Sequence, residues 1–325
     1  MVRDDRLAER ERKLIRMDGM RSVMTSLKVV LAGIELNNPT MLASGIMGET
    51  GGSLLAMAKG GAGALVTKSI GSVPRQGHKN PTLVELEHGY MNAMGLPNPG
   101  IDAFGEEMAE ALKGGVPIIG SIFGSSAEEF ASLAKKMEEY GARAVELNLS
   151  CPHAKGYGME MGVDPEIVAG IIKAVKCEVN VPVFAKLTPN THRLIDVAIS
   201  AEEAGADAIV AINTLKAMKI DVDVRRPVLS NRYGGLSGPA IRAVGVRCIY
   251  ELFESLKIPV IGVGGVEDWR SALEYIMAGA VAVQIGSGVG RKGSSIFGDV
   301  CSGISGYMSE NGLKDVSQLV GVAHE

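Results

Sequence analysis

Residues 126–151 read SAEEFASLAKKMEEYGARAVELNLSC. A charged, helix-like stretch closes on Tyr140–Gly141, and a strand-length apolar run, AVELN (144–148), follows at once. A glycine just past the last turn is a C-cap, because without a Cβ it enters the left-handed region freely. The same phrase returns in GGAGA (60–64) and EAGADA (203–208), each time before another apolar run. Working outward, the runs are TMLAS (40–44), ALVTK (64–68), PIIGSI (117–122), AVELN, PVFAKL (182–187), AIVAIN (208–213), PVIGVG (259–264) and VAVQIG (281–286). Near-continuous apolar strands alternating with helices mean a parallel sheet covered on its faces. Eight such units predict an α/β fold, a (β/α)8 (TIM) barrel with excursions on its C-terminal face; a doubly wound sheet is the alternative.

Composition agrees. Glycine is abundant (42 residues) and aromatics are scarce (4%), which suits a tightly turned α/β protein better than a sandwich. A net charge of −4 argues against the clustered basic face of a nucleic-acid binder. No run of about 18 apolar residues marks a membrane span. The N-terminus is charged throughout, unlike a signal peptide, so residues 1–26 read as a charged extension and 27–325 as the barrel domain. The four cysteines (Cys151, Cys177, Cys248, Cys301) are far apart, which excludes a disulfide framework or a zinc site and predicts a reducing cytoplasm, with no metal. Cys177 and Cys248, in helix-like segments, read as small buried hydrophobes.

In such a barrel the chemistry sits where the strands end. Those ends carry Ser44, Lys68, Ser121, Asn148, Lys186, Asn213, Gly264–Gly265 and Gly286–Ser287. Apolar strands do not need two lysines, two asparagines and several small residues at matching positions; together they imply a ligand. Glycines on the last two strands let backbone N–H groups approach an anion, and the loops after strands seven and eight are the usual phosphate site of this fold. Lysines at strand ends read as partners of an anion or as side chains snorkelling to water. Asn148 and Asn213 offer the donor and acceptor needed to grip the amide edge of a small ring, or cap a loop. Loop 92–100, NAMGLPNPG, is longer than a minimal connection and offers N–H groups to a carboxylate, or is a turn.

Cys151 opens the loop after the fourth strand, before a proline in a polar, glycine-rich stretch. A buried structural thiol fits that setting poorly. A base abstracting a ring proton beside a bound cofactor fits better, since a few per cent of an ordinary thiol is thiolate at neutral pH.

These motifs, NPTMLASGIMG, VTKSIG, NAMGLPNPG, ELNLSCPH, AKLTPN, INTLK, GGLSGPAIR, IGVGGV and QIGSG in this order, resemble those of the class 1 dihydroorotate dehydrogenases, most closely the catalytic subunit of the NAD-linked class 1B form. The likeness runs from about residue 27 to 305. It implies an FMN enzyme that oxidises dihydroorotate to orotate in pyrimidine (UMP) synthesis. It also implies Cys151 as the base at ring carbon C5 and Lys186 at the N1–C2=O end of the flavin. Lys68 would lie between flavin and substrate. Asn92, Asn148, Asn213 and Thr214 would hold the pyrimidine amides, and the Met94–Gly95–Leu96 backbone the carboxylate. Ser44, Ser69, Ser121, Ile212, Gly238, Gly264, Gly265, Gly286 and Ser287 would line the flavin, the last four around its phosphate.

Two positions depart from the family pattern: His153 stands where Asn usually follows SCP, and Ser121 where related subunits often carry Asn. Nothing here supplies iron–sulfur ligands or a dinucleotide fingerprint. The class 1B likeness therefore implies a partner subunit with FAD and a [2Fe-2S] cluster, around a homodimeric core or in a heterotetramer; a homodimer reducing a soluble acceptor such as fumarate is the alternative. SCPH also occurs in dihydropyrimidine dehydrogenases, whose substrate lacks the carboxylate. A non-redox sugar-phosphate aldolase or isomerase would keep the barrel and its phosphate site.

Overall fold

The computed structural model describes residues 25–149 and 161–325. Eight strands, β1 (Thr40–Leu42), β2 (Ala64–Val66), β3 (Ile118–Ile122), β4 (Ala144–Asn148), β5 (Val183–Lys186), β6 (Ala208–Ala211), β7 (Val260–Val263) and β8 (Ala280–Ile285), form a closed parallel barrel. Each strand pairs with its neighbour in sequence, and β8 closes on β1 with Gln284 opposite Met41. The (β/α)8 reading therefore holds and the doubly wound sheet does not. The strands are mostly apolar because both faces are covered: every residue of β1, β2, β3, β5 and β6 is buried.

The main helices are α1 (Gly51–Lys59), α2 (Ile101–Ala111), α3 (Ala127–Glu139), α4 (Pro165–Glu178), α5 (Leu194–Glu203), α6 (Arg242–Ser255), α7 (Trp269–Met277), α8 (Ser287–Lys292) and α9 (Ile296–Glu310). In α3 the Ser126 hydroxyl accepts from the Glu129 N–H, and Phe130, Leu133, Ala134 and Met137 form one buried stripe at helical spacing. Burying a side chain such as Phe130 contributes about 1.5–3 kcal/mol. Gly141 then turns left-handed (φ +92°), its N–H donating to the Glu138 carbonyl and that of Ala142 to the Met137 carbonyl. This is the paired pattern of a Schellman cap. Gly61–Ala62 and Gly205–Ala206 repeat both bonds, so one local device feeds β2, β4 and β6.

Outside the barrel, residues of two distant loops form one antiparallel sheet, in the order Leu215–Ala217, Gly234–Ser237, Gly89–Asn92, Leu83–Leu86. Its central register sets Gly235 opposite Asn92 and Ser237 opposite Tyr90. The excursions after β2 and β6 are thus a single structure. At the other end, Ser26 bridges Asp315: its N–H donates to the Lys314 carbonyl and its carbonyl accepts from Val316.

Cys248 is buried in α6 as expected, whereas Cys177 is exposed in the last turn of α4. Its helix turns that position to water, so the buried reading of Cys177 is corrected. Among the described residues no helix is long and apolar enough to cross a membrane.

Candidate active site

A cavity of about 520 Å³ opens where the barrel strands end, between those ends and the antiparallel sheet. Ser44 follows β1, Lys68 and Ser69 follow β2, Asn148 and Lys186 end β4 and β5, and Ile212, Asn213 and Thr214 follow β6; all line it. So do Gly264–Gly265 after β7, Gly286–Ser287 after β8, and Gly238. From the loop after β2 come Asn92, Met94 and Leu96. Residues scattered over almost the whole chain meet because strand ends of a closed barrel share one rim.

Two expected residues stand elsewhere. Ser121 is fully buried behind the wall, bonded to Ser44 (3.1 Å) and Ser69 (2.9 Å), where it fixes their hydroxyls. Gly95 does not line the cavity either; a Cβ there would press on His78. Cys151, like His153, lies outside the described residues.

The polar wall is a chain of hydrogen bonds. The Asn213 amide donates to Asn148 Oδ1 (3.3 Å), the Asn148 amide to Ser69 Oγ (3.1 Å), and the Thr214 N–H to Asn213 Oδ1 (2.8 Å). Such a chain holds each amide in one orientation. Asn98, buried, does the same for loop 92–100: its Oδ1 accepts from Gly71 and Gly100, and its Nδ2 donates to the Leu96 carbonyl. The N–H groups of Gly95 and Leu96 have no acceptor among the described residues, so an anion such as a carboxylate fits that loop.

A second unpartnered set lies at β7 and β8. Neither Gly264, Gly265 nor Gly286 donates its N–H to an acceptor among the described residues. Gly265 has φ +69°, and a Cβ there would meet the Gly238 carbonyl at 2.7 Å, so only glycine gives this approach. Backbone donors left open in a narrow cradle fit a phosphate.

Both lysines carry an acid. Lys68, 9% exposed, has Glu49 at 3.7 Å near the surface. Lys186, 5% exposed, donates to Glu146 Oε1 (3.2 Å) and Gln284 Oε1 (3.0 Å), and Gln284 Nε2 donates to Glu146 Oε2 (2.6 Å). Glu146 and Gln284 were not singled out from the sequence. The signal was there: each interrupts an apolar strand run, and Glu146 shares parity with Asn148 on β4. Tyr90 and Ser237 also line the cavity and had no sequence signal, because pairing between distant loops brings them there, and Gly290 lines it from α8.

The sequence that builds this mouth has relatives among known proteins. Relatives named dihydroorotate dehydrogenase B (NAD(+)), catalytic subunit, include one from Methanocella arvoryzae, 54% identical over 90% of this chain and 96% of its own. Those from Methanocaldococcus jannaschii and Pyrococcus abyssi are 52% and 51% identical, over 92% and 91% of this chain and 98% and 99% of theirs. The family model described as dihydroorotate dehydrogenase matches residues 26–308, the barrel with every wall residue described above, and the chain belongs to that family.

Proposed function

We propose that this chain oxidises dihydroorotate to orotate with FMN bound at the barrel mouth, a step of pyrimidine synthesis in the cytoplasm. The observation that carries the reading is the convergence on one cavity of two lysines, an ordered amide chain and two sets of unpartnered N–H groups. About 520 Å³ is within the range of pockets that take a molecule of this class. Ser44, Ser69, Ile212 and Gly238 would line the flavin, with Ser121 supporting two of them from behind, and Gly264, Gly265, Gly286 and Ser287 would take its phosphate. Asn92, Asn148, Asn213 and Thr214 would hold the pyrimidine amides, and the Met94–Gly95–Leu96 backbone the carboxylate. When bound, FMN supplies the acceptor for the hydride leaving C6. Cys151 would be the base that takes the C5 proton, Lys186 would direct its ammonium to the N1–C2=O edge, and Lys68 would lie between flavin and substrate.

The catalytic domain in this reading is 27–325, with residues 1–26 a charged N-terminal extension. The relatives' printed names support a partner subunit, here proposed to carry FAD and a [2Fe-2S] cluster and to pass electrons to NAD around a homodimeric core.

The test is the anaerobic visible spectrum of the purified chain, before and after dihydroorotate, with dihydrouracil in parallel. Bleaching by dihydroorotate alone is the expected result. Bleaching by dihydrouracil alone moves the chain to a dihydropyrimidine dehydrogenase-like reaction. A colourless protein that takes up no FMN overturns the flavin reading in favour of a sugar-phosphate barrel. Cys151→Ala should cut turnover roughly 10²–10⁴-fold with flavin retained, the usual contribution of a positioned base; unchanged turnover removes Cys151 from the role.

A further inference from the structure

Lys186 lines the cavity and meets, within the barrel, one polar side chain from β4, Glu146, and one from β8, Gln284. The three close a ring. The lysine donates to Glu146 and to Gln284, and the glutamine amide, held by its oxygen on the lysine, donates to the other carboxylate oxygen. Only one orientation of the Gln284 amide satisfies both bonds. Glu146 and Gln284 are completely buried, so bulk solvent does not reach the carboxylate and the ring's hydrogen bonds and the lysine's charge stabilise it. An ammonium has three N–H donors. Two are engaged below, and Lys186 lines the cavity, so the third is the one left for a ligand.

We propose that Glu146 is a positioning residue which aims the Lys186 ammonium and offsets its charge, so that the lysine presents a directed hydrogen bond to the cofactor rather than an unbalanced cation. The inference rests on the FMN reading above. On two-electron reduction FMN takes up two electrons and one proton and carries negative charge at its N1–C2=O edge. An unbalanced cation beside that edge favours the reduced form; a lysine paired with a buried carboxylate favours it less.

The experiment is a dithionite titration of FMN-loaded protein against a reference dye, with FMN affinity measured alongside. Glu146→Gln keeps the shape and removes the charge. It should shift the equilibrium at least tenfold toward reduced flavin, a rise of about 30 mV for a two-electron couple. Glu146→Asp keeps the charge on a shorter arm and should fall between Glu146→Gln and wild type; should Glu146→Gln not fold, this upward shift is the result read. A potential equal to or below that of wild type in whichever variant is read overturns the proposal. A wild-type chain that binds no FMN overturns the flavin reading and this inference with it, whereas a yellow wild type with unmoved variants overturns this inference alone.

Discussion

The Tyr275 hydroxyl donates to the Gly264 carbonyl at 2.7 Å, and its side chain occupies the space that Cβ atoms at Gly245 and Gly262 would need. Burial pushes its phenol well above the ordinary range, so it remains a donor at every working pH. By engaging the carbonyl from behind, it fixes the Gly264–Gly265 peptide whose N–H faces the cradle. Tyr275→Phe keeps the packing and leaves that carbonyl unpaired, at a cost of about 1–3 kcal/mol. The expected outcome is a lower denaturation midpoint together with weaker FMN binding, read by flavin fluorescence; loss of stability with unchanged affinity would limit Tyr275 to packing. Residues of this kind are hard to read in a sequence. Lys68, Lys186, Asn148 and Asn213 stood out because strand ends predict exposure at the mouth. Tyr275 acts from within a helix, and its link to Gly264 exists only after folding.

At the scale of elements, the cap of α7 offers a test that separates local from global stability. Asp268 accepts the Ser271 N–H at 2.8 Å, and the Ser271 hydroxyl closes a capping box. Burial pushes the Asp268 carboxyl up, but the Ser271 bonds and the nearby Lys292 and Arg242 outweigh it and hold the group below its ordinary range. A depressed folded-state pKa stabilises above the unfolded value, near 4, and that stability is lost as pH falls through the folded value. Asp268→Ala should therefore cost about 1 kcal/mol at neutral pH. Urea midpoints of wild type and variant should converge as the solution is acidified below about pH 4; a gap constant with pH would show that the charge is irrelevant. Elements were the most legible scale. Seven of the eight barrel strands lie within the apolar runs marked in the sequence, and β8 starts one residue ahead of its run, at Ala280, since period and turn chemistry are local signals. The glycine caps were legible for the same reason, and Gly279, left-handed before β8 in AGAVA (278–282), is a fourth case beyond the three marked in the sequence. The sheet over the mouth was not legible, because Tyr90 and Ser237 are paired across about 145 residues of chain and no local pattern specifies that partner.

For the whole molecule, a ligand held at the ends of seven of the eight barrel strands is bound only by the folded chain, so its affinity adds to stability. At a hundredfold excess over Kd the gain is about 2.7 kcal/mol, which corresponds to a rise of about 5 °C in Tm for a domain of this order. Calorimetry of flavin-stripped protein with and without FMN checks this. Riboflavin, lacking the phosphate, should give a smaller rise, and an equal rise would mean that the β7–β8 cradle takes no part. Fold class was legible at this scale because eight repeats of one unit leave few closed solutions, while the way in which distant loops cover the opening depended on contacts that form last.

The closure of β8 on β1 has a consequence for the chain as it is made. A ribosome delivers Thr40–Leu42 early and Ala280–Ile285 near the end, so the first strand keeps one unpaired edge through most of synthesis. Gln284 arrives on that same final strand, and until then Glu146 and Lys186 lack the third member of their ring. Nascent chains halted before residue 280 would hold neither the finished barrel nor the complete anion cradle. The strap from Ser26 to Asp315 comes later still, joining the two ends of the described fold only after the barrel is whole. The complete site is thus gained only once β8 has been made, and the unfinished sheet is the interval in which such a chain most needs protection from other exposed strands.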